Sequence, residues 1–62
     1  MDRTYINAEL IAKTLNVSKD TAYRLLKTPG CPSIKLGGRV IVESKKFFEW
    51  LDRYEGKEIV LQ

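Results

Sequence analysis

The sequence predicts a small α+β domain made of two closely spaced helices, a β-hairpin and a third helix. Three observations lead to this prediction. Only Asn16 and Val17 separate two amphipathic segments, and the glycine pair Gly37-Gly38 divides two β-rich runs. An aromatic segment with helical spacing follows the hairpin. A chain of 62 residues has room for one domain, predicted to span residues 1–62.

The first helix is predicted near residues 8–15, in the segment AELIAKTL. Asn7 before it is a good N-cap, and Asn16 after it can end the helix in a left-handed conformation. The residues that recur at helical spacing are Leu10, Ile11, Thr14 and Leu15. The segment TYI at residues 4–6 is predicted to be a short extended lead-in.

The second helix is predicted near residues 18–27. The hydroxyl of Ser18 can cap its N-terminus, and Asp20 complements the helix dipole in the first turn. Its apolar stripe consists of Ala22, Leu25 and Leu26. The segment TPGCP ends the helix because proline cannot continue it. The short connection between the first two helices forces them into close contact, as in a helix-turn-helix.

A β-hairpin is predicted near residues 33–42, where Gly37-Gly38 tolerates the positive φ angles of a two-residue turn. Alternation predicts that Ile34 and Leu36 point toward the core, together with part of the run Val40–Val42. The same alternation leaves Lys35 and Arg39 exposed near the tip.

The third helix is predicted near residues 44–55, with Ser44 as its cap and Gly56 at the position after its end. Its core-facing side chains are predicted to be Phe47, Phe48, Trp50, Leu51 and Tyr54. The tail KEIVLQ fits either a short strand or a docking segment. The whole order predicts a compact winged helix-turn-helix: a helix-turn-helix followed by a two-stranded hairpin wing and a C-terminal helix.

Composition narrows the classes of function. A net charge of +3 and a pI near 9.2 favour anionic partners. The chain has no histidine, and its single Cys31 suits a reducing compartment, so we expect no metal, no cofactor and no catalytic nucleophile–base pair. No apolar run is long enough for a membrane span, and the N-terminus lacks a signal-peptide core, so a cytoplasmic protein without membrane contact is expected.

The second helix carries a polar face that suits a polyanion. A helix N-terminus with hydroxyls and cations can bind phosphate. Arg24 can contact guanine, Asp20 can accept from cytosine N4, and Tyr23 can pack on a sugar or a thymine methyl. The predicted DNA-binding residues of this helix are Ser18, Lys19, Asp20, Thr21, Tyr23, Arg24 and Lys27.

The polar face of the second helix and the basic hairpin each have a simpler interpretation than the binding of double-stranded DNA. Such a face can be merely solvated, with Asp20 and Arg24 forming an ordinary i, i+4 pair. A glycine-tipped hairpin with Lys35 and Arg39 can likewise be an ordinary hairpin rather than a wing that touches DNA. The occurrence of both features in so short a chain favours DNA.

The run from Tyr5 to Leu51 resembles the small helix-turn-helix domains of bacterial excisionases and AlpA-like phage regulators, compact relatives of the MerR-type winged helix. The resemblance covers about three quarters of the chain. It lies in AELIAKTLNVSKDTAYRLLK, in Pro32, in KLGGRVIV and in the closing FFEWL. The segment KTPGCPSIKL departs from the pattern, because many relatives have a shorter and more basic approach to the hairpin.

The resemblance implies a role for individual residues. Ser18, Lys19, Thr21, Tyr23 and Arg24 match the family's recognition-helix face. Lys35, Gly38 and Arg39 match the wing. Members of the family bind short DNA sites, often several in a row, and either bend DNA to direct an integrase toward excision or regulate promoters. An excisionase of a mobile element is therefore expected, with the integrase and further copies of itself as partners.

Two alternatives remain. A transcriptional regulator of the AlpA type needs the same DNA-binding surface, so the sequence does not separate it from an excisionase. A protein-interaction module that presents its basic face to an acidic protein belongs to a different class. It would show little salt dependence in any DNA binding.

Overall fold

The computed structural model describes residues 3–61 and has the element order β-α-α-β-β-α. Its elements are β1 (Tyr5–Ile6), α1 (Ala8–Leu15), α2 (Lys19–Leu26), β2 (Ser33–Leu36), β3 (Arg39–Glu43) and α3 (Ser44–Asp52). The described part of the chain is thus a small α+β fold with three helices and one antiparallel sheet.

Both ends of α1 and the start of α2 lie at the predicted capping residues, whereas α2 has its C-cap at Lys27, just before the segment TPGCP. Asn7 accepts a hydrogen bond from the amide of Leu10 at 3.0 Å, and Ser18 accepts one from the amide of Thr21 at 3.1 Å. Asn16 has φ 58° and lies in the left-handed region, where its amide donates to Ala12. These caps stop α1 and start α2 within three residues.

The sheet has three strands where the sequence predicted two, because the extended lead-in pairs with the hairpin. Its order is β1-β3-β2, with β3 in the centre. Tyr5 lies opposite Glu43, and Ile6 lies opposite Val42. The Ser44 amide donates to the Thr4 carbonyl at 2.8 Å, which ties the same lead-in to the start of α3.

The hairpin turn uses its two glycines differently. Gly37 has φ 60°, whereas Gly38 is not among the residues with positive φ. A positive φ at the first central position alone is the pattern of a type II′ turn. A side chain at Gly38 would meet nothing within 4 Å, so the tip projects into open space.

The prediction that Ile34 and Leu36 face the core is wrong. Leu36 is 61% exposed and Ile34 is 45% exposed. In the observed register Ile34 stands opposite Ile41 and Leu36 opposite Arg39, on the outer face of the sheet. Val42 alone of the predicted run is fully buried, because it faces the helices together with Ile6.

Helix α3 begins at residue 44, as predicted, but its capping residue and its end differ from the prediction. Glu43, not Ser44, is the N-cap, and its Oε1 accepts from the amide of Lys46 at 2.9 Å. The helix stops at Asp52, and turns occupy the residues up to Gly56, whose φ is +79°. The predicted glycine therefore follows a turn rather than the last helical residue.

The core lies between the helices and the inner face of the sheet. Phe47 is fully buried at its centre, and its ring lies 6.0 Å from that of Trp50. Phe48 and Tyr54 are more exposed; Phe48 packs against the ring of Phe47 and Tyr54 against that of Trp50. The other buried apolar residues are Ile6, Ile11, Ala22, Leu25, Leu26 and Val42. Ile59 of the tail packs against this core, so the described tail residues dock without forming a strand.

Candidate nucleic-acid interface

Helix α2 presents one polar face because its opposite face is locked into the core. Ala22, Leu25 and Leu26 are all buried. The side chains of Lys19, Asp20, Tyr23, Arg24 and Lys27 are all exposed. A single helix thus carries three cations and a tyrosine outward, and the core fixes its rotation about its own axis.

The N-terminus of α2 has part of its hydrogen-bonding capacity already in use. The Ser18 hydroxyl accepts from the Thr21 amide and donates to the Thr21 hydroxyl at 2.9 Å. The first two helical amides, at Lys19 and Asp20, precede the first intrahelical bond and stay available to a ligand. Asp20 stands beside them with a negative charge, which weakens this end as a phosphate site.

Two ion pairs involve the cations of this face. Lys19 Nζ lies 3.7 Å from Glu9 Oε2 of α1, and Arg24 Nε lies 3.1 Å from Asp20 Oδ2 one turn earlier. All four side chains are more than half exposed. Pairs this exposed contribute at most about 1 kcal/mol each to stability.

Tyr23 lies at the centre of the face and borders two hollows. One hollow of about 240 Å³ lies between the helices and the hairpin, and Lys19, Tyr23 and Arg39 are among its lining residues. A second hollow of about 480 Å³ lies toward the end of α2, with Tyr23, Lys27 and Lys35 among its lining residues. The ammonium of Lys27 also sits 4.5 Å from the centre of the Tyr23 ring, within cation–π range.

The hairpin therefore stands beside α2 rather than behind it. Lys35 and Arg39 are both exposed, and each lines a hollow that it shares with Tyr23. Gly38 lies at the open tip. The predicted site residues thus form two groups around Tyr23, while Ser18, Asp20, Thr21 and Arg24 lie outside both hollows.

Sequence reasoning missed two residues that shape this surface. Glu9 pairs with Lys19, and nothing in the sequence alone brings the first turns of α1 and α2 together. Ser33 donates to the Leu26 carbonyl at 2.8 Å and so holds the hairpin against the end of α2. The only sequence signal for the second contact is a hydroxyl residue placed just after Pro32.

Cys31 lines the second hollow, where its free thiol is partly buried. Burial raises its pKa above the ordinary thiol value, and a hydrogen bond involving the backbone of Ser33 opposes that shift more weakly. A raised pKa keeps the sulfur protonated at neutral pH, whereas nucleophilic cysteines have lowered values. Among residues 3–61, no group of three or more acidic, cysteine or histidine side chains could hold a metal ion.

None of the helices described between residues 3 and 61 has the length and apolar character needed to cross a membrane. Comparison with protein-family models, with curated proteins and with solved structures gives no match to this chain.

Proposed function

We propose that this protein is a non-enzymatic, sequence-specific DNA-binding protein with a winged helix-turn-helix layout. In this layout α2 reads the major groove of double-stranded DNA, and the β2–β3 hairpin is the wing. The observation that carries the proposal is the arrangement around Tyr23. Cations from two elements, Lys19 and Lys27 on α2 and Lys35 and Arg39 on the hairpin, surround one exposed ring.

The dimensions of α2 suit the proposal. A helix with its side chains is about 10–12 Å across, and the major groove is about 12 Å wide. Eight helical residues reach about 12 Å, enough for one face to span a few base edges. The core contacts of Leu25 and Leu26 hold the opposite side of the helix in the protein.

The hairpin supplies the second contact. Its tip has no side chain that would block close approach, because both turn residues are glycine. Lys35 and Arg39 flank this tip and can each neutralise a phosphate beside the groove that α2 enters. Phosphate contacts of this kind position the protein, and the base contacts of α2 give the sequence preference.

Within this class, the resemblance to excisionases favours a protein of a mobile element that directs an integrase toward excision. A transcriptional regulator of the AlpA type is the alternative. A domain this small contacts only a short stretch of DNA, so one copy binds with modest affinity. High occupancy of the DNA then requires several copies on adjacent sites. Copies bound in phase with the DNA helix would bend it.

The test is a gel-shift and footprint series on DNA from the ends of the protein's own element, repeated at several salt concentrations. Neutralising about five or six phosphates predicts a slope of log affinity against log salt near about −5. Protection no better than that of random DNA at every salt concentration would overturn the proposal. An excision assay with the cognate integrase then separates the excisionase from the regulator.

One observation favours a second candidate, a protein-interaction module. The outer face of the sheet exposes Tyr5, Ile34 and Leu36 to solvent, and exposed apolar patches can mark sites of protein interaction. A module of this kind would bind a protein partner tightly and bind DNA with little dependence on salt. The same salt series therefore decides between the two candidates.

A further inference from the structure

The pair Asp20–Arg24 differs from the other ion pair of the face in one respect. Both members lie on α2 itself, one turn apart, and the carboxylate approaches the guanidinium from its Nε side. Lys19, by contrast, reaches across to Glu9 on another helix. Arg24 is thus held by a residue of the same rigid helix that is proposed to enter the groove.

The guanidinium that Asp20 contacts is the best candidate for reading a base. Guanine offers two acceptors, O6 and N7, and the fork of an arginine can satisfy both at once. A free arginine loses rotamer freedom when it makes this contact. A carboxylate at 3.1 Å from Nε reduces that loss.

We infer that Asp20 is a positioning residue that fixes Arg24 for the recognition of one guanine and thereby sets sequence preference. This inference rests on the proposed DNA-binding function. The carboxylate carries a cost, because it sits beside a polyanion and weakens binding to every sequence equally. Its benefit is confined to the base pair that Arg24 reads.

The chain contains a matched control for this inference. Glu9 occupies the second position of α1, as Asp20 occupies the second position of α2, and each forms one exposed ion pair with a cation of the face. Glu9→Gln and Asp20→Asn therefore remove the same charge and the same favourable interaction with a helix dipole. They differ in whether the cation released is Lys19 or Arg24.

The experiment selects sites from a pool of short random-sequence DNA duplexes with the wild-type protein, Arg24→Ala, Asp20→Asn and Glu9→Gln. Binding to the selected duplex and to a scrambled duplex is then measured for each protein, with circular dichroism as the check on folding. Arg24→Ala identifies the base pair that Arg24 reads. We expect Asp20→Asn to weaken the preference for guanine at that same base pair by about fivefold, the low end of a bidentate contact.

Both charge-removing variants should bind the scrambled duplex about two- to threefold more tightly, since each loses a negative charge near the phosphates. Glu9→Gln should leave base preference unchanged at every position. Asp20→Glu should retain the preference, because a glutamate one turn before an arginine also reaches it.

Three outcomes would overturn the inference while leaving the proposed function intact. Asp20→Asn could behave like Glu9→Gln, or Asp20→Glu could lose the preference as fully as Asp20→Asn. A preference lost at a different base pair would mean that Asp20 acts on a base pair that Arg24 does not read. If the wild-type protein selects no sequence and binds scrambled DNA equally well, the proposed function itself fails.

Discussion

The hydroxyl of Ser33 donates a hydrogen bond to the carbonyl of Leu26 at 2.8 Å. The bond joins the first residue of β2 to the last residue of α2, across the turn that contains Pro29 and Gly30. It satisfies one of the carbonyls that a helix C-terminus leaves without an intrahelical partner. The hairpin and α2, the helix proposed to face DNA, are therefore linked by more than their covalent connection.

Replacing Ser33 with alanine should reduce both stability and DNA affinity. The loss of this hydrogen bond should lower the free energy of unfolding by about 1 kcal/mol, measured by urea denaturation with Trp50 fluorescence. DNA binding should weaken beyond what the unfolded fraction explains, because the hairpin must then be ordered during binding. Ser44→Ala is the control, since no hydrogen bond described within residues 3–61 involves its hydroxyl. Equal effects of the two substitutions would contradict this role of Ser33.

Arg24→Ala and Arg39→Ala should both weaken DNA binding, but only Arg24→Ala should relax sequence preference. Arg24 lies on the helix proposed to face base edges, and Arg39 lies on the hairpin, where phosphate is the expected partner. Each substitution should reduce the magnitude of the salt slope by no more than about one.

Arg53→Ala provides the comparison for both variants, because this arginine lies just after α3 and outside the proposed face. Its loss should change affinity little in the same salt-titrated assay. If neither Arg24→Ala nor Arg39→Ala changes affinity more than Arg53→Ala does, the proposed interface is misplaced.

Phe47→Ala should unfold the protein, whereas Phe48→Ala should not. Phe47 is fully buried, and truncating such a ring costs about 3–5 kcal/mol, most of the roughly 3–9 kcal/mol available to a domain of this size. Phe48 is 37% exposed and packs edge-on against Phe47, so its loss should cost about 1 kcal/mol. Thermal unfolding followed by circular dichroism distinguishes the two variants. Cooperative unfolding of Phe47→Ala near the wild-type temperature would contradict this account of the core.

The helices could be predicted from the sequence because their signals are local. Asn7 and Ser18 each accept from an amide three residues further along, and Asn16 adopts the left-handed conformation within its own residue. A cap of this kind depends only on adjacent backbone. Only the capping residue of α3 is predicted one residue late, because Glu43 and Ser44 both carry side-chain oxygens that can cap a helix.

The inward and outward faces of the hairpin could not be predicted, because alternation fixes which residues share a face but not which face is covered. Ile34 and Leu36 are as apolar as Val42, yet only Val42 meets the helices. The decisive contact is the pairing of Ile6 with Val42, which comes from the far end of the chain. No local pattern in the hairpin specifies that partner.

The sequence predicts which residues share the exposed face of α2, but not the contacts that those residues make with other elements. Helical spacing placed Tyr23, Arg24 and Lys27 together, and the structure has them exposed on one side of α2. The pairing of Lys19 with Glu9 depends on how two helices meet in three dimensions. The sharing of a hollow by Tyr23 and Lys35 depends on the path of the turn between α2 and β2.

The pairing of β1 with β3 also bears on the order in which the chain can fold. Each helix and the hairpin close over a few residues, whereas Tyr5 meets Glu43 only after most of the chain has been brought together. Closing a long loop costs more entropy than closing a short one, and contacts between distant residues slow folding. We therefore expect β1 to pair with β3 last. The three-stranded sheet is then completed only after α1, α2 and the hairpin have formed.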